Sequence, residues 1–238
     1  MKILLLFLIK SLSLAKFSKV FVSAGTIFLS MGSYALLYGW KYAVGIVGLL
    51  LFHEMGHYLA ARQKNLNVGL PMFIPFVGAW IELKEQPTNA EIDAYVAYAG
   101  PFIGTMASFA LFFLGRHTDS GLIIALAQAG FVINLFNLIP LYPLDGGRIT
   151  SLLSPRLWLL GVPLLVIIWM YRPSPMLIIV ALLAIPHLIT VWKRYPKAAE
   201  NPAYHDVEAS TRFEYAVLYL GLTIVLACMI QSLQKDLI

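Results

Sequence analysis

Long stretches without a charged side chain limit most strongly how this chain can fold. Residues 20–40, 94–115, 120–144, 174–192 and 215–234 contain no Asp, Glu, Lys or Arg, and 42–61 contains only Glu54. A helix that crosses the hydrocarbon core of a bilayer needs about 20 apolar residues, so each of these runs is long enough. A seventh run, 157–171, is shorter and is interrupted by Pro163. Composition agrees with this reading. Hydrophobic residues make up 60% of the chain and charged residues 12%, where soluble domains carry about 25% charged residues. An ordinary soluble fold is excluded, and so is a disordered chain, which needs the opposite balance. Cys228 stands alone, which excludes a disulfide scaffold.

The fold class expected is all-α: a polytopic transmembrane helix bundle of about six to seven spans. The net charge is +5. The basic residues do not cluster with exposed aromatics, so nucleic acid is not an expected partner; the lipid bilayer is. Lys and Arg concentrate on the cytoplasmic side of membrane proteins. With the N-terminus inside and seven spans threaded, only Lys41, Arg116, Arg172 and Lys235 fall outside. The expectation is therefore a multi-pass protein, N-terminus cytoplasmic, in the cell membrane. The pair of runs over 157–192 either spans twice or re-enters, and the chain emerges on the same side in both cases. Residues 1–19, with an apolar stretch from Ile3 to Ile9 among lysines, read as an interfacial helix in preference to a signal peptide. Residues 193–212 read as a cytoplasmic linker before a last span, all within one domain, 1–238.

One apolar stretch does not read as a helix. Residues 69–84, GLPMFIPFVGAWIELK, contain two prolines and two glycines that oppose helix formation. They predict a small β-hairpin dipping into the membrane, which is tolerable only where protein or a water-filled cavity covers its backbone. An exposed strand edge there could hold an unwound peptide by strand addition, and Gly78, Ala79 and Trp80 open the candidate edge, 78–83.

The chemistry lies in His53-Glu54-Met55-Gly56-His57, an H-E-x-x-H sequence inside a span. Residues i and i+4 share a helix face, so both imidazoles can bind one metal ion, with zinc the expected one. In this motif the glutamate is a general base and not a ligand. Ionisable residues inside spans are costly and mark functional sites. A catalytic zinc site takes three protein ligands. His117, His187, His205, Glu82 and Asp145 are the candidates for the third. Asp145 is the best of them, because Pro140 and Pro143 break the helix before it and Gly146-Gly147 follow it. The charge-derived threading puts His53 and His57 about 12 and 6 Å from the cytoplasmic end of their helix, a depth similar to that of Asp145. Gly100 and Gly104 form a G-x-x-x-G pair, expected to allow close helix packing.

HEMGH in one span and Asn137-Leu138-Ile139-Pro140-Leu141-Tyr142-Pro143-Leu144-Asp145-Gly146 in a later one resemble the site-2 protease family of intramembrane zinc metalloproteases. That family's pattern pairs H-E-x-x-H with N-x-x-P-x-x-x-x-D-G. The resemblance covers a catalytic core of residues 42–148. It implies one Zn2+ per chain bound by His53, His57 and Asp145, Glu54 as general base, and Asn137 near the scissile bond, holding the substrate or the oxyanion. It implies peptide hydrolysis within or near the transmembrane segment of a single-span substrate protein, with a second copy of the chain or a regulatory membrane partner left open. The rival reading is a zinc transporter or sensor without protease activity. A transporter needs a polar path, and these spans hold almost no other ionisable residue.

Overall fold

The computed structural model describes residues 2–76, 78–85, 87–171, 173–194 and 202–236. Two helices, α1 (Lys2–Tyr38) and α2 (Trp40–Gln63), precede a hairpin of β1 (Met72–Ile74) and β2 (Gly78–Trp80). Six more helices follow: α3 (Ala90–His117), α4 (Gly121–Asn137), α5 (Asp145–Leu153), α6 (Trp158–Tyr171), α7 (Pro175–Arg194) and α8 (Ala209–Asp236). Among the described residues, four segments are long and apolar enough to cross a membrane: Lys19–Tyr38, Trp40–Gln63, Ala90–His117 and Ala209–Gln234. Three further apolar helices, Gly121–Asn137, Pro155–Tyr171 and Met176–Thr190, are shorter. These seven segments correspond to the seven apolar runs, but only four have full spanning length. The chain is thus a helical membrane protein with a small two-stranded hairpin.

The segments singled out in the sequence take local forms. The run 120–144 is apolar throughout, and α4 stops at Asn137, ahead of the two prolines expected to break it. Pro140 and Pro143 supply no backbone donor, and two prolines so close together disfavour a continuing helix, so residues 138–144 turn and the chain restarts as α5. Asp145 is therefore the first residue of a separate short helix. Residues 3–19, read as an interfacial helix, are helical and run into the first span without a break. Of the linker 193–212, residues 195–201 lie outside the described residues. Pro202–His205 form a 3-10 turn and α8 begins at Ala209. Arg212 ties that turn to the bundle, donating to the carbonyls of His205 at 2.7 Å and Leu153 at 3.2 Å.

Helix α3 occupies the centre, against α2, α4 and α5, while α8 crosses α4 and α5. Its buried face is made of small residues, Ala90, Ala94, Ala97, Gly100 and Gly104, which let neighbouring backbones approach closely. Phe131 and Leu138 meet Leu226 and Leu233 of α8 in the main core. A second cluster joins Ile139, Leu141 and Leu144 of the broken segment to Leu165 of α6 and Leu177, Val180 and Ala184 of α7.

The hairpin hangs on α1. Its strands pair antiparallel, with Phe73 opposite Ala79, and Gly78 has φ +129°, a backbone conformation that favours glycine. Backbone groups away from water need partners, and α1 supplies them. Ser23 Oγ donates to the Pro71 carbonyl at 2.6 Å, Thr26 Oγ1 accepts from the Phe73 amide at 3.2 Å, and Tyr34 Oη accepts from the Phe76 amide at 3.3 Å.

Candidate metal centre

His53 and His57 sit one helical turn apart on the inner face of α2, and Asp145 enters from the first turn of α5. Their three donor atoms form a triangle. His53 Nε2 lies 3.1 Å from Asp145 Oδ2 and 3.1 Å from His57 Nε2, and the third side, His57 Nε2 to Asp145 Oδ2, is 3.2 Å. Donors about 2.0–2.1 Å from one tetrahedral ion stand about 3.3–3.4 Å apart, so a small adjustment fits the triangle to zinc. Two neutral imidazoles and one carboxylate are also a donor set that zinc accepts. Among the described residues this is the group of His, Cys, Asp and Glu side chains able to hold a metal ion.

The other ring nitrogens are already committed. His53 Nδ1 lies 2.8 Å from Asn134 Oδ1, and His57 Nδ1 lies 2.7 Å from the Val96 carbonyl. Both partners are acceptors, so each imidazole carries its proton on Nδ1 and keeps the Nε2 lone pair. Partners of this kind fix the tautomer and the ring orientation of metal-binding histidines. Asn134 is held in turn, its amide donating to the Gly130 carbonyl at 2.8 Å.

Glycines make the room. A Cβ on Gly100 would run into the His57 imidazole, and one on Gly104 into the Asn134 carboxamide. The G-x-x-x-G pair of α3 thus packs helices closely, as expected, and the atoms it admits belong to the site. A Cβ on Gly146 would meet the Leu138 carbonyl, so the glycine after Asp145 lets the turn fold tightly over α5. One side chain pins that turn and another the start of α5: Tyr219 Oη donates to the Leu138 carbonyl at 2.6 Å, and Trp158 Nε1 to the Gly147 carbonyl at 2.7 Å.

The triangle opens on a cavity of about 830 Å³ between α2, the hairpin, α4 and α7. Glu54, only 5% exposed, lines it beside the three donors. Asn137 lines the same cavity, its amide donating to the Ile133 carbonyl at 3.1 Å. Gly78, Ala79 and Trp80 form part of the wall, and most of the rest is apolar. The other ligand candidates lie elsewhere. His187 packs on the Tyr142 ring with centroids 3.9 Å apart, Glu82 pairs along the hairpin through its carbonyl to the Gly69 amide, His117 ends α3 and His205 sits in the 3-10 turn. Sequence reasoning missed Asn134, the Val96 carbonyl and an Asp93–Arg148 pair beside Asp145.

Comparison with known proteins agrees with this geometry. Residues 41–119 match the model of peptidase family M50, a stretch that contains both histidines and Glu54 and ends before Asp145. A probable chloroplastic zinc metalloprotease EGY1 of Arabidopsis thaliana is 37% identical over 78 residues, covering 31% of this chain and 14% of the relative. The zinc metalloprotease MJ0392 of Methanocaldococcus jannaschii is 26% identical over 105 residues, 42% of this chain and 30% of its own. The putative zinc metalloprotease Rip3 of Mycobacterium tuberculosis is 28% identical over 132 residues, 50% of this chain and 33% of its own. The chain thus spans a third or less of the length of these relatives. The matches support the site-2 protease family, and zinc as the ion for the three donors.

Proposed function

We propose that the protein is an intramembrane zinc metalloprotease that hydrolyses peptide bonds of membrane-anchored proteins within or near their transmembrane segment. The observation that carries this is the convergence of His53, His57 and Asp145 on one point, with Glu54 in the same buried cavity. When bound, zinc supplies Lewis acidity to a peptide carbonyl and to the attacking water. His53, His57 and Asp145 would hold the ion at the wall of the cavity. Glu54 takes a proton from the water as its oxygen attacks the carbonyl carbon, then gives that proton to the amine nitrogen as the C–N bond breaks. Asn137, on the cavity wall, is suited to hold the peptide or the oxyanion beside them.

The substrate best matched to this cavity is a single transmembrane segment. A helix hides its peptide bonds in its own hydrogen bonds, so the segment must unwind, and an extended peptide can then add to a strand edge. The Phe73 amide points to Thr26 of α1, away from β2. Phe73 and Ala79 therefore face each other as a non-hydrogen-bonded pair, and the Ala79 N–H and C=O point to the free edge. That edge supports β2 as the docking strand. The finer arrangement we propose is about six to seven spans, from the charge-free runs, with the N-terminus cytoplasmic, from the distribution of Lys and Arg, in a cell membrane.

The experiment is metal analysis of the purified protein beside cleavage of a panel of single-span substrates, repeated with Glu54→Gln. One zinc per chain in both proteins, with cleavage lost in the variant, is expected. Equal cleavage by Glu54→Gln rejects its role as base, and full zinc loss in the variant recasts it as a ligand.

A further inference from the structure

Asp145 turns one carboxylate oxygen, Oδ2, toward both histidines. The other, Oδ1, lies 3.8 Å from Nη1 of Arg148, one turn further along α5. The rest of the guanidinium reaches α3, where Nη2 and Nε donate to Asp93 Oδ1 at 2.6 and 3.0 Å. Both side chains are largely buried, with 19% and 16% exposure. Asp93 stands one turn before Val96, whose carbonyl orients His57. One fork thus joins the helix that supplies the third donor to the helix turn that aims the second. Asp93 also accepts a hydrogen bond from the Tyr204 phenol in the 3-10 turn before α8; burial, then the Asp93 carboxylate, hold that phenol above its ordinary range, so it stays a donor.

We infer that Arg148 and Asp93 are positioning residues for the metal site, with the Arg148 fork setting the Asp145 carboxylate against His53 and His57. The inference rests on the metal-site reading above. Two effects of Arg148 oppose each other, which makes the sign of its removal informative. A cation close to a cation site weakens binding by repulsion. A fork that fixes a ligand strengthens binding by removing the need to order it. Only Arg can hydrogen-bond Asp93 through Nε and Nη2 while its Nη1 stays within ion-pair distance of Asp145; Lys is a point charge.

The test is Zn2+ affinity of the full-length protein in detergent, by chelator competition, with the absorption spectrum of the Co2+-loaded protein as a second readout. Arg148→Gln and Asp93→Asn are each expected to weaken zinc about 10–100-fold, the usual effect of losing such a partner. The double variant should be no weaker than the worse single one, because one fork is lost in each. Arg148→Lys should fall between wild type and Arg148→Gln, and the Co2+ bands should shift in both as the ligand geometry changes. Unchanged or tighter zinc in Arg148→Gln overturns the inference, as does full recovery in Arg148→Lys, which would make charge alone the cause. If Arg148→Gln does not fold, Arg148→Lys decides the matter. A wild type that takes no zinc overturns the metal-site reading itself, an outcome distinct from a wild type and variants that bind equally well.

Discussion

Nδ1 of His53 and Oδ1 of Asn134 are 2.8 Å apart, in a buried contact between α2 and α4. Because the Asn134 amide nitrogen is spent on the Gly130 carbonyl, its oxygen is the atom that faces the ring. The histidine must therefore donate from Nδ1, and Nε2 remains free for a metal ion.

This relationship predicts opposite outcomes for two substitutions. Asn134→Asp keeps an acceptor at the same place and should retain zinc. Asn134→Leu removes the acceptor and should weaken zinc about 10–100-fold. Chelator competition on both variants is the check. Equal affinity in Asn134→Leu would show that packing alone orients His53.

How far the site is legible in the sequence depends on what each part is made of. His53, Glu54 and His57 follow from helix geometry, since i and i+4 side chains meet on one face. Asp145 can be read from the prolines before it and the glycines after it. Asn134 left a weaker signal, a polar residue in a charge-free run, with Asn137 only three positions away and nothing local to separate their roles. The Val96 contact is made by a backbone carbonyl, which carries no side-chain signature. Asp93 and Arg148 are 55 positions apart, and only the packing of α3 on α5 brings them together. The fold was legible in the same way. Hydropathy located the apolar runs, and Pro140 and Pro143 marked the break inside 120–144, but Pro101, Pro163 and Pro186 sit within helices, so a single proline in an apolar stretch does not by itself locate a helix end.

Gly100 and Gly48 make a matched pair of tests. A Cβ at Gly100 collides with the His57 imidazole, whereas a Cβ at Gly48 of α2 meets nothing within 4 Å. Gly100→Ala should displace the ring and lower zinc affinity at least 10-fold. Gly48→Ala should leave zinc unchanged and raise thermal stability slightly, because alanine is better than glycine in a helix interior by about 0.5–1 kcal/mol. Wild-type affinity in Gly100→Ala would mean that α3 can move away at little cost.

The third donor is tested by charge at constant shape. Asp145→Asn nearly preserves the side-chain outline but removes the negative charge that holds a cation. Zinc per protein and cleavage of one substrate should both fall to background in Asp145→Asn and in Asp145→Ala. A residue that only shaped the turn would tolerate Asn, which adopts the same turns. Retained zinc with retained cleavage in Asp145→Asn would therefore reject the ligand role.

The edge of β2 offers a test that separates docking from chemistry. Proline removes one backbone donor and fixes φ in a range that strands tolerate at an edge. At Ala79 the N–H points away from β1, so Ala79→Pro should leave the β1–β2 ladder intact. At Trp80, opposite Met72 in the next pair, the N–H faces the partner strand, and Trp80→Pro should break the hairpin. If substrates dock by strand addition, Ala79→Pro should bind zinc like wild type but cleave transmembrane substrates at least 10-fold more slowly, the loss of one intermolecular hydrogen bond of about 1.5 kcal/mol at a desolvated edge. Ala79→Gly keeps the amide and serves as the control, with cleavage close to wild type. Measuring zinc content and cleavage rate on all three variants tells the cases apart. Wild-type cleavage by Ala79→Pro would remove the Ala79 amide from substrate binding and leave the apolar cavity wall to do the holding.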